Sequence, residues 1–224
     1  MKMKPLPVLA ASLLVVTGLV SGCSASVSVG DSTTSAAPAP DTSSSVDLTE
    51  TITNDQYGFS FKYAPPFEPQ EDTTFSGEGG ADSANTTAVF DTEGSQIGGQ
   101  YRDAFVVNVY ELQAEITEDN LADAKAELEN SVIPQLEQST DDMKISEVTE
   151  TTVAGKPAFS ADATFTAEGK GITSTLYFVF DGNREYQVLT QAADENWDGL
   201  QPTFDAMLGS LTITGASASP SAGA

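Results

Sequence analysis

The 224 residues include 33 acidic and nine basic side chains and no histidine, for a formal charge of −24 at pH 7. Such acidity repels nucleic acid and anionic lipid headgroups. A chain without histidine has no Ser-His-Asp or Cys-His catalysis and lacks the commonest ligand of zinc, copper and non-haem iron, and its single cysteine leaves no internal disulfide.

In chain order the first element is an export signal. Lys2 and Lys4 precede an apolar run from about Pro7 to Val20 that closes on small residues, a layout too short for a comfortable membrane span. Leu19-Val20-Ser21-Gly22-Cys23 resembles a bacterial lipobox. The resemblance implies that Leu19 to Gly22 form the cleavage motif, that Cys23 becomes the first residue, and that lipid of the palmitate class is joined to its sulfur. Acylation also removes a lone thiol that would be a liability in an oxidising compartment, and more than one chain is the condition for stable attachment. The expected place is the cell membrane, lipid-anchored on its extracytoplasmic face. Loss of Lys2 and Lys4 leaves seven basic against 33 acidic residues, a formal charge of −26.

The predicted organisation is a signal peptide over 1–22, a lipidated Cys23 with a Ser/Thr/Pro tether over 23–53, one domain over 54–214 and a disordered tail over 215–224. STTSAAPAPDTSSS has no apolar period and cannot offset its chain entropy. As a flexible coil the tether spans about 30 Å.

Within the domain, Tyr57, Phe59, Phe61 and Tyr63 recur at period two and predict a strand that Pro65-Pro66 ends. An acidic, glycine-rich loop follows, with a short strand near Thr87 to Phe90. Phe105 to Leu112 is apolar on both faces at its start, as in a strand covered on two sides. Leu121, Ala124, Leu128, Val132 and Leu136 then form one helical stripe behind a Thr117 cap, with Pro134 expected to kink or end it.

Four strands in hairpin order are predicted next. MKISEVTETTV turns at Ala154-Gly155 into KPAFSADATFTA, whose Ser160, Asp162, Thr164 and Thr166 make one face wetter. Glu168 to Gly171 leads to ITSTLYFVF, and Asp181-Gly182-Asn183 is read as the turn into REYQVLTQAA. A last helix follows, with Pro202 at its first position and Leu200, Phe204, Met207 and Leu208 inward, before a strand at Leu211 to Ile213.

This order of elements resembles the PsbP-like superfamily, in the style of the bacterial LpqN-type and DcrB-type lipoproteins. The resemblance runs from about Asn54 to Thr214 and rests on Tyr57-Gly58-Phe59, Gly155 with Pro157, Trp197, Phe204 and Ser210-Leu211. It implies an α+β fold, a curved antiparallel sheet with helices packed on its faces, used for accessory, docking or trafficking roles. None of these markers is catalytic, and no metal role is carried over.

The sequence also has no S-x-x-K, G-x-S-x-G, P-loop or G-x-G-x-x-G. Asp91-Thr92-Glu93-Gly94-Ser95 offers oxygen donors near a glycine but lacks full calcium-loop spacing, so weak calcium binding is the most it suggests. Trp197 is read chiefly as packing the last helix onto the sheet, with sugar or lipid stacking the other use; Arg184 and Lys170 flank the third hairpin and are read chiefly as exposed charges at a turn, with contact to a partner the other use. No catalytic residue and no cofactor is expected. The functional expectation is a non-enzymatic docking module for an envelope protein partner. The alternative is a small-ligand or lipid carrier with a cavity between the main helix and the sheet.

Overall fold

A computed structural model describes residues 46–69, 86–140 and 142–214. Two antiparallel sheets and two helical layers enclose the core. The smaller sheet has the order β1-β2-β12, formed by Glu50–Asn54, Phe59–Tyr63 and Thr212–Ile213. The larger joins β3 (Phe67–Pro69), β4 (Thr86–Asp91), β7 (Ala104–Ile116), β11 (Lys170–Ala193), β10 (Lys156–Ala167) and β8 (Lys144–Ile145) in that order, with β9 (Thr149–Val153) also paired to β10. β5 (Gln96–Ile97) and β6 (Gln100–Tyr101) make a small ribbon.

The first strand is a correction. β1 lies inside the segment expected to be tether and pairs with β2 from Glu50↔Tyr63 to Asn54↔Phe59. Leu48 and Ile52 pack on the core, so the folded region begins before Asn54. Two apolar residues among threonines and acids are a faint signal; the partner strand makes them stable.

The period-two aromatics behave as expected. Phe59 and Phe61 are buried, while Tyr57 and Tyr63 pack partly on the same cluster. The two-residue hairpins are also where glycine predicts them: Ala154-Gly155 (φ 51° and 71°) and Glu168-Gly169 (φ 49° and 77°) both have the paired positive φ of type I′ turns.

The main helix is built in pieces. Asn120 Oδ1 accepts the Thr117 backbone N–H at 2.7 Å, and a 3-10 turn over Glu118–Asn120 leads into α1, Leu121–Glu127. A π-turn over Leu128–Val132 then joins α1 to α2, Ile133–Ser139. Leu128, Val132 and Leu136 are spaced by four, slightly more than an α-turn, and the wider π-turn keeps them on one face. Pro134 thus falls in the first turn of α2, where its missing N–H costs nothing, and the helical run continues past it.

Two more expectations are corrected downstream. MKISEVTETTV forms two short strands, β8 and β9, that share the edge of β10. Asp181-Gly182-Asn183 is not a turn: β11 runs through it for 24 residues. Its first part pairs with β10 and its second with β7, and the ladder is irregular between Gly182 and Arg184. Because the two parts have different partners, the glycine, at φ 64°, serves a bulge instead of a reversal.

The bulge exchanges faces. Before it, Val179 is in the cluster shared with the last helix, whereas Phe178 and Phe180 join the main-helix cluster; after it, Tyr186 and Val188 take up the first cluster. That first cluster holds Phe59, Phe61, Phe105, Phe204 and Met207. On the opposite face Leu128, Leu136, Phe159, Phe178 and Phe180 pack together. Each such buried side chain contributes about 1.5–3 kcal/mol of transfer free energy.

The last helix, α3, spans Asp194–Ser210, so Pro202 lies inside it and not at its start. An interior proline costs about 3 kcal/mol. Burial of Phe204 and Met207 on one side, with Pro202 exposed on the other, offsets that cost.

Candidate functional site

α3 does not cover the whole of its sheet face. The predicted wet side of β10 is found here, with Asp162, Thr164 and Thr166 exposed. Where that strip meets the flank of α3 there is a groove of about 280 Å³. Its helical wall carries Trp197, Gln201 and Asp205, which share a stripe because they are four residues apart. Its floor carries Asp162 on β10 and Thr175 and Tyr177 on β11. The register sets Asp162 opposite Thr175 and Ser160 opposite Tyr177.

The groove has fixed and free parts. Thr175 Oγ1 donates to Asp162 Oδ1 at 2.8 Å, which orients that carboxylate. Trp197 rests against Phe204 with ring centroids 5.9 Å apart, so the ring is held by the core, as the sequence reading expects, while it also lines the groove. Burial raises the Tyr177 hydroxyl above its usual range, and the carboxylates of Asp205 and Asp162 add to the rise. Of the four ion pairs among the described residues, none involves Asp162 or Asp205.

The Asp91 to Ser95 segment is tied to Asp103 and the start of α3. Asp91 Oδ1 accepts the Glu93 N–H at 2.9 Å. The fully buried Asp103 takes Ser95 N–H (2.8 Å) and Asn196 Nδ2 (2.7 Å) on Oδ2, and Ala193 N–H (2.8 Å) on Oδ1. Burial raises the Asp91 pKa, partly opposed by the N–H groups of Glu93 and Gly94. A Cβ on Gly94 would lie 2.5 Å from Asp103 Oδ2, so the glycine permits this close approach. Among the described residues no three His, Cys, Asp or Glu side chains gather to hold a metal ion. Of the other oxygens in the segment, Thr92 Oγ1 donates to the Pro66 carbonyl at 3.0 Å and Ser95 Oγ accepts from the Asn196 amide at 3.1 Å.

On the other sheet face Glu185 is buried, and burial raises its pKa to about 7, with the Gln187 amide at 2.6 Å pulling the other way. Arg184 and Lys170 are engaged within the chain. Arg184 reaches Glu111 at 3.5 Å and lies 5.9 Å from the centre of the Tyr57 ring, and it sits in the β11 bulge, not at a turn. Lys170 pairs with Glu195 at 3.5 Å.

Cys23 and the Leu19 to Gly22 motif lie outside the described residues, as do most of the tether, the tail and most of the acidic loop. Sequence reasoning singled out Trp197 but not Tyr177, Asp205 or Asp103. The spacing of four from Trp197 to Asp205 was the available signal for the groove.

No family profile and no curated protein matches the chain. Among solved structures it is similar to the solution structure of cyanobacterial PsbP from Synechocystis, at TM-score 0.50 and 12% identity, covering 76% of this chain and 95% of that one. It also aligns with LpqN of Mycobacterium tuberculosis, described as involved in cell envelope biogenesis, at TM-score 0.49 and 14% identity over 69% of this chain and 82% of that one. A Bacteroides thetaiotaomicron structure aligns at TM-score 0.46 and 13% identity, covering 75% of this chain and 49% of that one. The fold is therefore α+β and PsbP-like, an antiparallel sheet with helices on its faces.

Proposed function

We propose that the mature protein is a non-enzymatic docking module of the cell envelope, held on the extracytoplasmic face of the membrane by lipid on Cys23. The placement is supported by the lipobox-like Leu19 to Cys23 segment and the preceding signal pattern. A fold by itself names no activity.

The observation that carries docking over carriage is the filled layer between the main helix and the sheet. Leu128, Leu136, Phe159, Phe178 and Phe180 occupy it in one contiguous cluster, each at most 1% exposed. A lipid or apolar ligand would need that space. The open groove lies instead on the other sheet face, beside α3, with polar and aromatic walls that suit contact with another protein.

Metabolic labelling with a fatty-acid analogue, membrane fractionation and crosslinking from intact cells test this reading. The wild-type chain is expected to label, to pellet with membranes and to crosslink to an envelope protein. Cys23→Ser is expected to lose label and pelleting while the domain stays folded. A labelled Cys23→Ser chain overturns the anchor, and co-purification of a stoichiometric lipid from inside the folded domain overturns docking in favour of carriage.

A further inference from the structure

The groove beside α3 has a chemical bias that narrows its occupant. It combines two aromatic faces, Trp197 and Tyr177, with two carboxylates, Asp162 and Asp205. Beyond the effect of burial, both carboxylates raise the Tyr177 hydroxyl, so their negative field reaches the hydroxyl end of that side chain. Neither is neutralised by any of the four ion pairs among the described residues, although other cations of the chain do find partners. The chain already uses one such arrangement internally, Arg184 over Tyr57 with Glu111 as counter-ion.

We propose that this groove captures a single cationic side chain, an arginine or lysine, from an exposed segment of a partner protein. The proposal rests on the docking reading and names the chemistry of that contact. An aromatic face attracts a cation through its ring quadrupole, and a carboxylate beside it supplies a charge-assisted hydrogen bond. The volume of about 280 Å³ is at the lower margin for a drug-sized ligand and suits one long side chain. The surrounding charge favours the same sign of ligand: the processed chain carries seven basic against 33 acidic residues. Thr175 holds Asp162 in place before any ligand arrives, which limits the ordering cost of binding.

The chain supplies its own reporter, because Trp197 is its only tryptophan. The probes are acetyl-Gly-Arg-Gly-amide, its citrulline analogue, which is close in shape but uncharged, and the neutral disaccharide maltose, all titrated into the processed chain at low salt while tryptophan fluorescence is followed. A saturable change is expected with the arginine peptide, weak and on the order of millimolar for one side chain. The citrulline peptide and maltose are expected to leave the signal flat. Asp162→Asn with Asp205→Asn should weaken the arginine response at least tenfold without moving the urea midpoint, since Asp162 and Asp205 are both exposed. High salt should weaken it in the unaltered chain, which provides a readout independent of the variant.

A flat arginine titration, an equal citrulline response, a response to maltose instead, or insensitivity to both the double substitution and salt overturns the proposal. Crosslinking in cells separates this outcome from failure of docking itself. If the double variant keeps its envelope partner, the groove inference fails and docking stands; if the wild type has no partner, docking fails.

Discussion

Asp103 Oδ1 accepts the backbone N–H of Ala193 at 2.8 Å across 90 positions of sequence, at the junction where β11 ends and α3 begins. Its other oxygen holds Ser95 and Asn196, so one buried carboxylate ties the loop after β4 to the first turn of the last helix. The Asp194 and Glu195 side chains in that turn already favour helix initiation; Asp103 fixes where the helix starts and hence where Trp197 stands.

Asp103→Ala should therefore cost about 3–5 kcal/mol, because it leaves the buried Ala193 N–H and the half-buried Ser95 and Asn196 donors without their shared acceptor. Urea denaturation checks this. A loss below about 1 kcal/mol would show that water replaces the carboxylate without penalty.

Gly94→Ala tests the same hub through space instead of charge. The added Cβ would meet Asp103 Oδ2 at 2.5 Å and Asp91 Cγ at 3.0 Å. The expected loss is about 1–3 kcal/mol. An unchanged thermal midpoint would mean that the loop yields freely.

Glu185 gives a pH dependence whose sign follows from its raised pKa. The unfolded chain releases this proton near 4.5, whereas the folded chain keeps it to about 7. Between those values the native state binds more protons than the unfolded state, so this group's contribution falls as pH rises, by about 3 kcal/mol across the window. Glu185→Gln should remove that slope and stabilise the domain at pH 8 relative to pH 5. Parallel urea midpoints for wild type and variant across the range would place the carboxylate in water.

Gly182→Ala isolates backbone strain. The site has φ 64°, and a Cβ there would find only Glu115 Oε1, at an ordinary 3.8 Å. The cost should be about 1 kcal/mol from the left-handed conformation alone. A thermal shift as large as that of Gly94→Ala would point to a packing role instead.

Much of this architecture was legible locally. The period-two aromatics from Tyr57 to Tyr63, the spacing of Ala124, Leu128, Val132 and Leu136, and the Gly155 and Gly169 hairpins each state their structure within a few residues. What was missed depends on distant partners. β1 exists because β2 is beside it, and Asp181 to Asn183 stays within the strand because β7 takes over from β10 as its neighbour. Pro202 is tolerated because Trp197 and Leu200 before it and Phe204 and Met207 after it hold α3 against the core. For the candidate site, Trp197 was visible as the lone tryptophan, but its sharing a groove with Tyr177 required the register of β10 against β11 and the placement of α3.

The irregular step between Gly182 and Arg184 makes the odd and even frames of β11 unequal. Removing one residue there would flatten the step into plain alternation and leave Phe178 and Phe180 on one face with Tyr186 and Val188 on the other. Removing two would carry Tyr186 and Val188 round to the helical layer. Loss of that one extra residue should accordingly be the length change this strand tolerates.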